Sequence, residues 1–348
     1  MGTKKPSLLF IRLLILPLIF AVFLIFLLKR GPQISSSLRE FTDFIPIDLE
    51  RDDFFIASIA KMEFAPGKTL IFDKKQKKIF VFNDSMQFSH SMGSPGQGPG
   101  DLSQPEDFVV GHDRVYVLDE ISKRIDIFSL NGEFLTRIIL TLPADIFYSY
   151  PAAILVDGSD NLYVAYSLSD HILDAYGPDG VYSKTYLERT DPVVIYRKNL
   201  GNSSALGWTP QKSILHFNTF DGRFIEVFPD GTLGRQFGIE DSRFRKIAHD
   251  IQKELAADRS GAVQTDIVSF LNFSNFCIDH EGCVYVCELR VESGDRQRLW
   301  SFSPDGKVSI SEIPLSGDDR IKAIYYNQNQ FYFVTDDDKI LLAKRRNG

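Results

Sequence analysis

One phrase recurs six times along this chain. It is an apolar run, mostly ending on an aromatic residue, followed by a turn that closes on a small residue. It reads IFVFNDS (79–85), IDIFSLNG (125–132), LDAYGPDG (173–180), IEVFPDG (225–231), LWSFSPDG (299–306) and LLAKRRNG (341–348). The closing residues Ser85, Gly132, Gly180, Gly231, Gly306 and Gly348 are separated by 47, 48, 51, 75 and 42 positions. Five of these turns carry Asn-Gly or Asp-Gly, the strongest short-range hairpin signal; the first carries Asn83-Asp84-Ser85.

A second phrase precedes each of these: a short strand, a turn, then a strand of alternating aromatic and β-branched residues. FVVGHDRVYVLD (108–119), ILVDGSDNLYVA (154–165) and FCIDHEGCVYVC (276–287) are the clearest copies; TLIFD (69–73), SILHFN (213–218) and FYFVTD (331–336) are shorter ones. Period-2 alternation rich in Val, Ile, Tyr and Phe predicts strands. Each unit therefore supplies four short antiparallel strands. Six units of this size predict an all-β six-bladed β-propeller built from four-stranded antiparallel blades. The last unit stops on its final turn, so its outermost strand must come from elsewhere. FIPIDL (44–49), ahead of the first unit, is the expected donor, because an open blade edge exposes unpaired backbone groups.

The 75-residue spacing places an insertion between blades four and five, near 239–265. Asp241 or Ser242 can cap a helix there, and Phe244, Ile247, Ala248, Ile251 and Leu255 share one helical face. The expected element is an amphipathic helix, packed over a blade edge or serving as a lid or docking element.

Residues 93–135, GSPGQGPGDLSQPEDFVVGHDRVYVLDEISKRIDIFSLNGEFL, resemble an NHL-type repeat. Gly96, Gly98, Pro99, Gly100, Pro105, Tyr116, Asp119, Arg124, Ile125, Phe128 and Gly132 fill its pattern. The run before the first unit (45–64) also resembles six-bladed propeller proteins of bacteria. The Asp119 position of this phrase reads Tyr166 in the third unit, Glu288 in the fifth and Asp336 in the sixth. Propellers of this kind mostly serve as binding platforms, so the resemblance implies a fold and a binding role rather than a chemistry.

Ahead of the repeats, residues 8–28 (LLFIRLLILPLIFAVFLIFLL) form a 21-residue apolar run interrupted only by Arg12. That length spans a bilayer as a helix. Lys29-Arg30 follows it, and no small-x-small cleavage site closes it directly, so an uncleaved signal anchor over residues 1–31 is expected. Basic residues balance across the run. The short end of such an anchor ordinarily stays in the cytoplasm, which puts the body, residues 32–348, outside it as a single-pass membrane-anchored domain. Residues 1–31 hold five basic residues and no acidic one, so the net −7 of the whole chain becomes −12 for the body. A body that acidic is a poor partner for nucleic acid.

The three cysteines cluster with a histidine as Cys277-x2-His280-x2-Cys283-x3-Cys287. Zinc is not expected, because Cys283 and Cys287 share one strand and four residues of strand span about 13 Å. Buried thiols are expected, with a Cys277–Cys283 disulfide as the alternative in an oxidising compartment. Asp119 and Arg124 bracket a strand turn, as a ligand-binding pair or as a structural ion pair. With Glu288 and Asp336 they are the candidate ligand-binding residues. No metal site, catalytic residue or cofactor is expected, since no nucleophile elbow, metal-binding histidine phrase or P-loop is present. The glycine string Gly96–Gly100 reads as a blade-to-blade crossover.

These features predict a binding or scaffold module for a protein, peptide or glycan on one propeller face. The alternative is a calcium-dependent lactonase or esterase, which needs oxygens converging on the central channel. The innermost strands, read as FVVG, AILV and FCID, are mostly apolar. Val109 and Val110, for example, offer no oxygen.

Overall fold

Short runs of β-branched and aromatic residues separated by turn formers pair with their nearest neighbours in sequence, because little chain entropy is lost in closing a hairpin. The computed structural model repeats that step in every blade; it describes residues 41–49, 54–143, 150–167, 169–188, 204–241, 243–244, 246, 272–289, 296–313 and 319–345. Blade one is Ile59–Ala65, Lys68–Asp73, Lys78–Asn83 and Phe88–Met92. Blade two is Pro105–Gly111, Arg114–Asp119, Arg124–Ser129 and Phe134–Ile139. Blade three is Pro151–Val156, Leu162–Tyr166, His171–Tyr176 and Tyr182–Glu188. Blade four is Ser204–Trp208, Ile214–Asn218, Arg223–Val227 and Leu233–Gly238. Blade five is Phe273–Ile278, Val284–Glu288, Arg298–Phe302 and Val308–Glu312. Each is an antiparallel meander in chain order, and the first strands of the six blades contact one another around a ring.

Blade six closes that ring. Its strands Ile321–Asn327, Gln330–Thr335 and Ile340–Arg345 come from the end of the chain, and its outermost strand is Phe41–Ile47 from the beginning. The pairing runs from Phe41↔Arg345 to Ile47↔Ile340. Phe41 is 5% exposed and packs edge-on to Phe331 and Phe333, at ring-centroid distances of 4.8 and 5.3 Å. Pro46 lacks an amide hydrogen, which an outermost strand tolerates.

The Asn-Gly and Asp-Gly phrases form one recurring turn. In blades two to five the turn glycine donates to the carbonyl three residues back, as in Gly132 to Ser129 (2.9 Å) and Gly306 to Ser303 (2.9 Å). Gly180 shows why the position wants glycine. Its φ is +81°, and a Cβ there would lie 2.4 Å from Ile138 Cγ2 and 2.7 Å from the Ile139 carbonyl oxygen.

The two faces of the disc differ. On one, first strands meet second strands and third strands meet fourth through short turns. The other, the long-connection face, carries the second-to-third turns, and there each blade's last strand ends and the next blade's first strand begins. The expected helix over 239–265 lies almost wholly outside the described residues, within which Arg243, Phe244 and Lys246 have helical backbone. The anchor over 8–28 also lies outside them. Among the described residues no helix is long and apolar enough to cross a membrane.

Candidate functional site

The second-to-third turns place the sequence candidates on the long-connection face. In blade two Asp119 is spent on its own turn. Its carboxylate accepts from the backbone of Gln104 (2.8 Å) and Ser122 (2.9 Å) and from the Ser122 hydroxyl (2.6 Å). Burial pushes its pKa up, but these donors outweigh that and hold it below the ordinary carboxylate value. Arg124 lies 4.0 Å from Asp119, yet its closer partners are Asp126 (3.1 Å) and the Asp101 carbonyl (3.1 Å). Asp126 also takes Arg137 at 2.6 Å. The pair thus belongs to a buried network that fastens the crossover loop to blade two. Within that loop Asp101 accepts from the Gly98 amide (3.0 Å) and the Ser94 hydroxyl (2.6 Å), in keeping with a crossover.

The register corrects one correspondence. The position of Asp119, paired with Pro105 on its first strand, is matched in blade six by Thr335, paired with Ile321; Asp336 is the next residue and is exposed. Blade one places Asp73 there and blade four Asn218, and both again accept backbone N–H groups of their own turns. Blades three and five depart. Tyr166 bonds Tyr176 hydroxyl to hydroxyl at 2.5 Å. Glu288, one methylene longer than Asp, is 3% exposed, and Arg243 lies 3.6 Å from its carboxylate. Burial raises its pKa against the pull of Arg243 and Arg298.

The channel holds a cluster that the sequence reading passed over. The innermost strand of blade two begins at Pro105 rather than Phe108, so it carries Asp107. A register shift follows the first pair of the innermost strand in blades one, two, three, five and six. It turns Lys61, Asp107, Ala153, Asn275 and Ala323 into one layer, to which blade four contributes Ala205 (paired with Phe217). The polar members staple each blade to the next. Lys61 donates to the Phe108 carbonyl (2.7 Å), Asp107 accepts from Ile154 N–H (2.9 Å), and Asn275 exchanges two bonds with Ile324 (2.8 and 2.9 Å). Tyr325 faces the Met62 backbone from blade six. Both seams of blade four carry alanine at this layer.

Lys61 Nζ also lies 2.8 Å from Asp107 and 3.1 Å from Glu63, so three oxygens converge on it. Burial disfavours its charge, but the two carboxylates outweigh this and raise its pKa. Glu63 is raised by burial against the pull of Lys61. The missed signal was a charged residue at the third position of an innermost strand, Lys61 in IAKMEFA and Asp107 in PEDFVVG.

The cysteines are buried, and no disulfide joins them; Cys277 lies opposite Tyr285 rather than Cys283. Burial pushes the thiols of Cys277 and Cys287 up. Ligand atoms of Asp279, Glu281 and Cys283 lie within 4.8 Å of one another. Asp279 already accepts from the amides of Glu281 and Cys283 (2.9 and 2.8 Å) and from Tyr285 (3.0 Å), the bonds of a hairpin turn.

A family described as a 6-bladed beta-propeller, DUF5128, matches residues 29–173, in agreement with the fold. No curated protein matches the chain. A protein of Bacteroides fragilis predicted to be exported is similar in structure, with a TM-score of 0.63 at 12% identity over 92% of this chain and 98% of its own. A DUF4221 family member from Bacteroides vulgatus has a TM-score of 0.56 at 9% identity over 92% and 100%. A catalytically inactive virginiamycin B lyase of Staphylococcus aureus, solved with quinupristin, has a TM-score of 0.54 at 10% identity over 82% and 80%. At these identities the likeness shows the fold alone.

Proposed function

We propose that this chain is a membrane-anchored propeller that binds a protein, peptide or glycan on its long-connection face, outside the cytoplasm. The observation that carries the reading is Lys61. A calcium-dependent hydrolase needs oxygens converging on an open position in the channel. Here Asp107, Glu63 and the Phe108 carbonyl converge on an ammonium belonging to the chain itself. The candidate carboxylate Asp119 serves a turn, which leaves a rigid disc with its variable chain length on one side. The NHL-like phrase at 93–135 and the exported relative in Bacteroides fragilis support a binding platform beyond the cytoplasm. The anchor over 8–28 supplies the membrane attachment.

Thermal unfolding of the full chain with calcium or with a chelator tests this, alongside hydrolysis of simple lactones. The expected result is an unchanged midpoint and no turnover. A ligand at 100 times its Kd stabilises by about 2.7 kcal/mol. A calcium-dependent rise of several degrees, or lactone turnover, would replace this reading with the hydrolase.

A further inference from the structure

An innermost strand has one edge paired within its blade and the other turned to the channel, so its channel-side N–H and C=O groups need partners from elsewhere. The hairpins tell which residues these are. In blade four the Thr209 N–H donates to the Ser213 carbonyl (2.9 Å). The ladder alternates from there, so Gly207 and Ala205 bond the second strand, while Trp208, Leu206 and Ser204 turn their backbone groups to the channel. Counted in the same way, Met62, Phe108, Ile154, Phe276 and Ile324 match Leu206 in the other blades. Tyr325 engages Met62, Lys61 engages Phe108, Asp107 engages Ile154 and Asn275 engages Ile324. Among the described residues no side chain bonds the backbone of Leu206 or Phe276. The positions that would staple them hold Ala153 and Ala205.

The channel is open toward that free edge. The first strands of blades two and three, and of blades five and six, run closest together, and the short side chains of Asp107 and Asn275 span those seams. The seams of blade one take the longer Lys61 and Tyr325. Blades one and four stand opposite each other, so the ring is drawn in on two sides and open along the line that joins them. Solvent reaches both ends of that line. All five residues of Ser204–Trp208 are part-exposed, and Lys61 and Glu63 keep 23% and 25% of their side chains exposed. The ends differ in chemistry. On the blade-one side a single ammonium stands between Asp107 and Glu63, an excess of one negative charge. On the blade-four side the wall is bare backbone.

We infer that the channel beside blade four is the binding site for an extended peptide carrying a basic residue, which adds to Ser204–Trp208 as a further strand. The inference rests on the binding reading above and narrows it to one class of ligand. A peptide supplies an N–H and a C=O at alternate residues along one edge, the complement of the free groups of Leu206. Its cationic side chain answers the excess charge at Glu63 across the channel, and the acidic body draws such a ligand in.

The test uses capped pentapeptides of alternating Thr and Val with Lys, Gln or Glu at the centre, titrated by calorimetry into the full chain in detergent. The Lys peptide binds saturably, at least about tenfold more tightly than the Gln peptide, and the Glu peptide binds most weakly. The Lys peptide N-methylated at every residue, which removes its main-chain donors, does not bind. Glu63→Gln brings the Lys and Gln peptides to within about threefold of each other. Ala153→Gln, which gives Leu206 a staple of its own, weakens every peptide at least about tenfold. The inference is overturned if no peptide binds, if the Glu peptide binds as tightly as the Lys peptide, if the N-methylated peptide binds like its parent, or if Glu63→Gln keeps the full preference for Lys. The N-methylated peptide and the charge series use the unaltered chain, so they decide the matter even where a variant folds poorly. Failure of the peptides with calcium insensitivity intact leaves a glycan or folded-protein ligand standing, whereas a calcium response removes the binding reading itself.

Discussion

Replacing Lys61 by methionine keeps most of the side-chain volume and removes the ammonium on which Asp107, Glu63 and the Phe108 carbonyl converge. Two unit charges about 2.8 Å apart attract by about 6 kcal/mol at an effective dielectric of about 20. Desolvation of both groups cancels much of that. Breaking one side of a buried pair costs about 3–5 kcal/mol, because the remaining charge is stranded. Lys61 and Asp107 keep 23% and 11% of their side chains exposed, so channel water softens the penalty. Lys61→Met should therefore destabilise by about 2–4 kcal/mol. Asp107→Asn breaks the same pair, and the double variant should show a coupling of about 1.5–3 kcal/mol. Urea unfolding of the full chain in detergent, followed by tryptophan emission, reads these values. The raised Lys61 pKa adds a sign. Its contribution is complete below the unfolded lysine pKa of about 10.4 and fades as pH rises through the higher folded value. The parent should lose this increment in alkali, and Lys61→Met should not. A coupling under about 0.5 kcal/mol, or identical alkaline profiles, would refute the argument that the channel holds its own cation.

Three further outcomes are expected. Phe41→Ala, in the closing strand, should cost about 3–5 kcal/mol, and calorimetry should show the whole propeller, not one blade, melting early. Gly180→Ala should cost clearly more than Gly306→Ala: both glycines have positive φ, but a Cβ at Gly306 meets nothing within 4 Å whereas one at Gly180 meets Ile138 and Ile139. Chemical unfolding of the pair checks that ordering. Burial lowers the His216 pKa to about 4. The unfolded chain binds that proton near pH 6.5, so stability should fall between those two values by up to about 3 kcal/mol. His216→Gln should flatten this part of the pH–stability curve.

The blades were readable in the sequence because each is a local meander, whose turn glycines and alternating strands lie within one window of chain. Closure by the early strand was readable for a related reason: LLAKRRNG ends where a partner is still required. The channel layer was hidden by the register shifts that follow the first pair of five innermost strands. Such a shift leaves no mark in composition, so Lys61 in IAKMEFA looks like an ordinary edge residue, and Asp107 fell just ahead of the segment read as the strand. The slip from Thr335 to Asp336 has a simpler origin. Three consecutive aspartates, Asp336–Asp338, follow the strand, and only pairing with Ile321 tells which position faces the turn. Of these, Asp338 does the work at the blade six–one seam, accepting from the Ile59 amide at 2.5 Å and pairing with Lys322. Glu288 was visible as a departure from Asp119, but the packing of Trp300 with Phe217 and Phe224 appears only once blades four and five are side by side.

The pairing of Phe41 with Arg345 also sets a timetable for synthesis. Phe41 leaves the ribosome long before Arg345, the residue it pairs with. At about 5–20 residues per second the gap is on the order of tens of seconds. Throughout it FTDFIPI is a nascent β-edge without its partner strand. Blades one to five can form as they emerge, but the circle is completed only once Ile340–Arg345 has followed them. A ribosome that stalls before residue 340 would release an open arc, with exposed strand edges at both ends, to whatever chaperones or proteases meet it there.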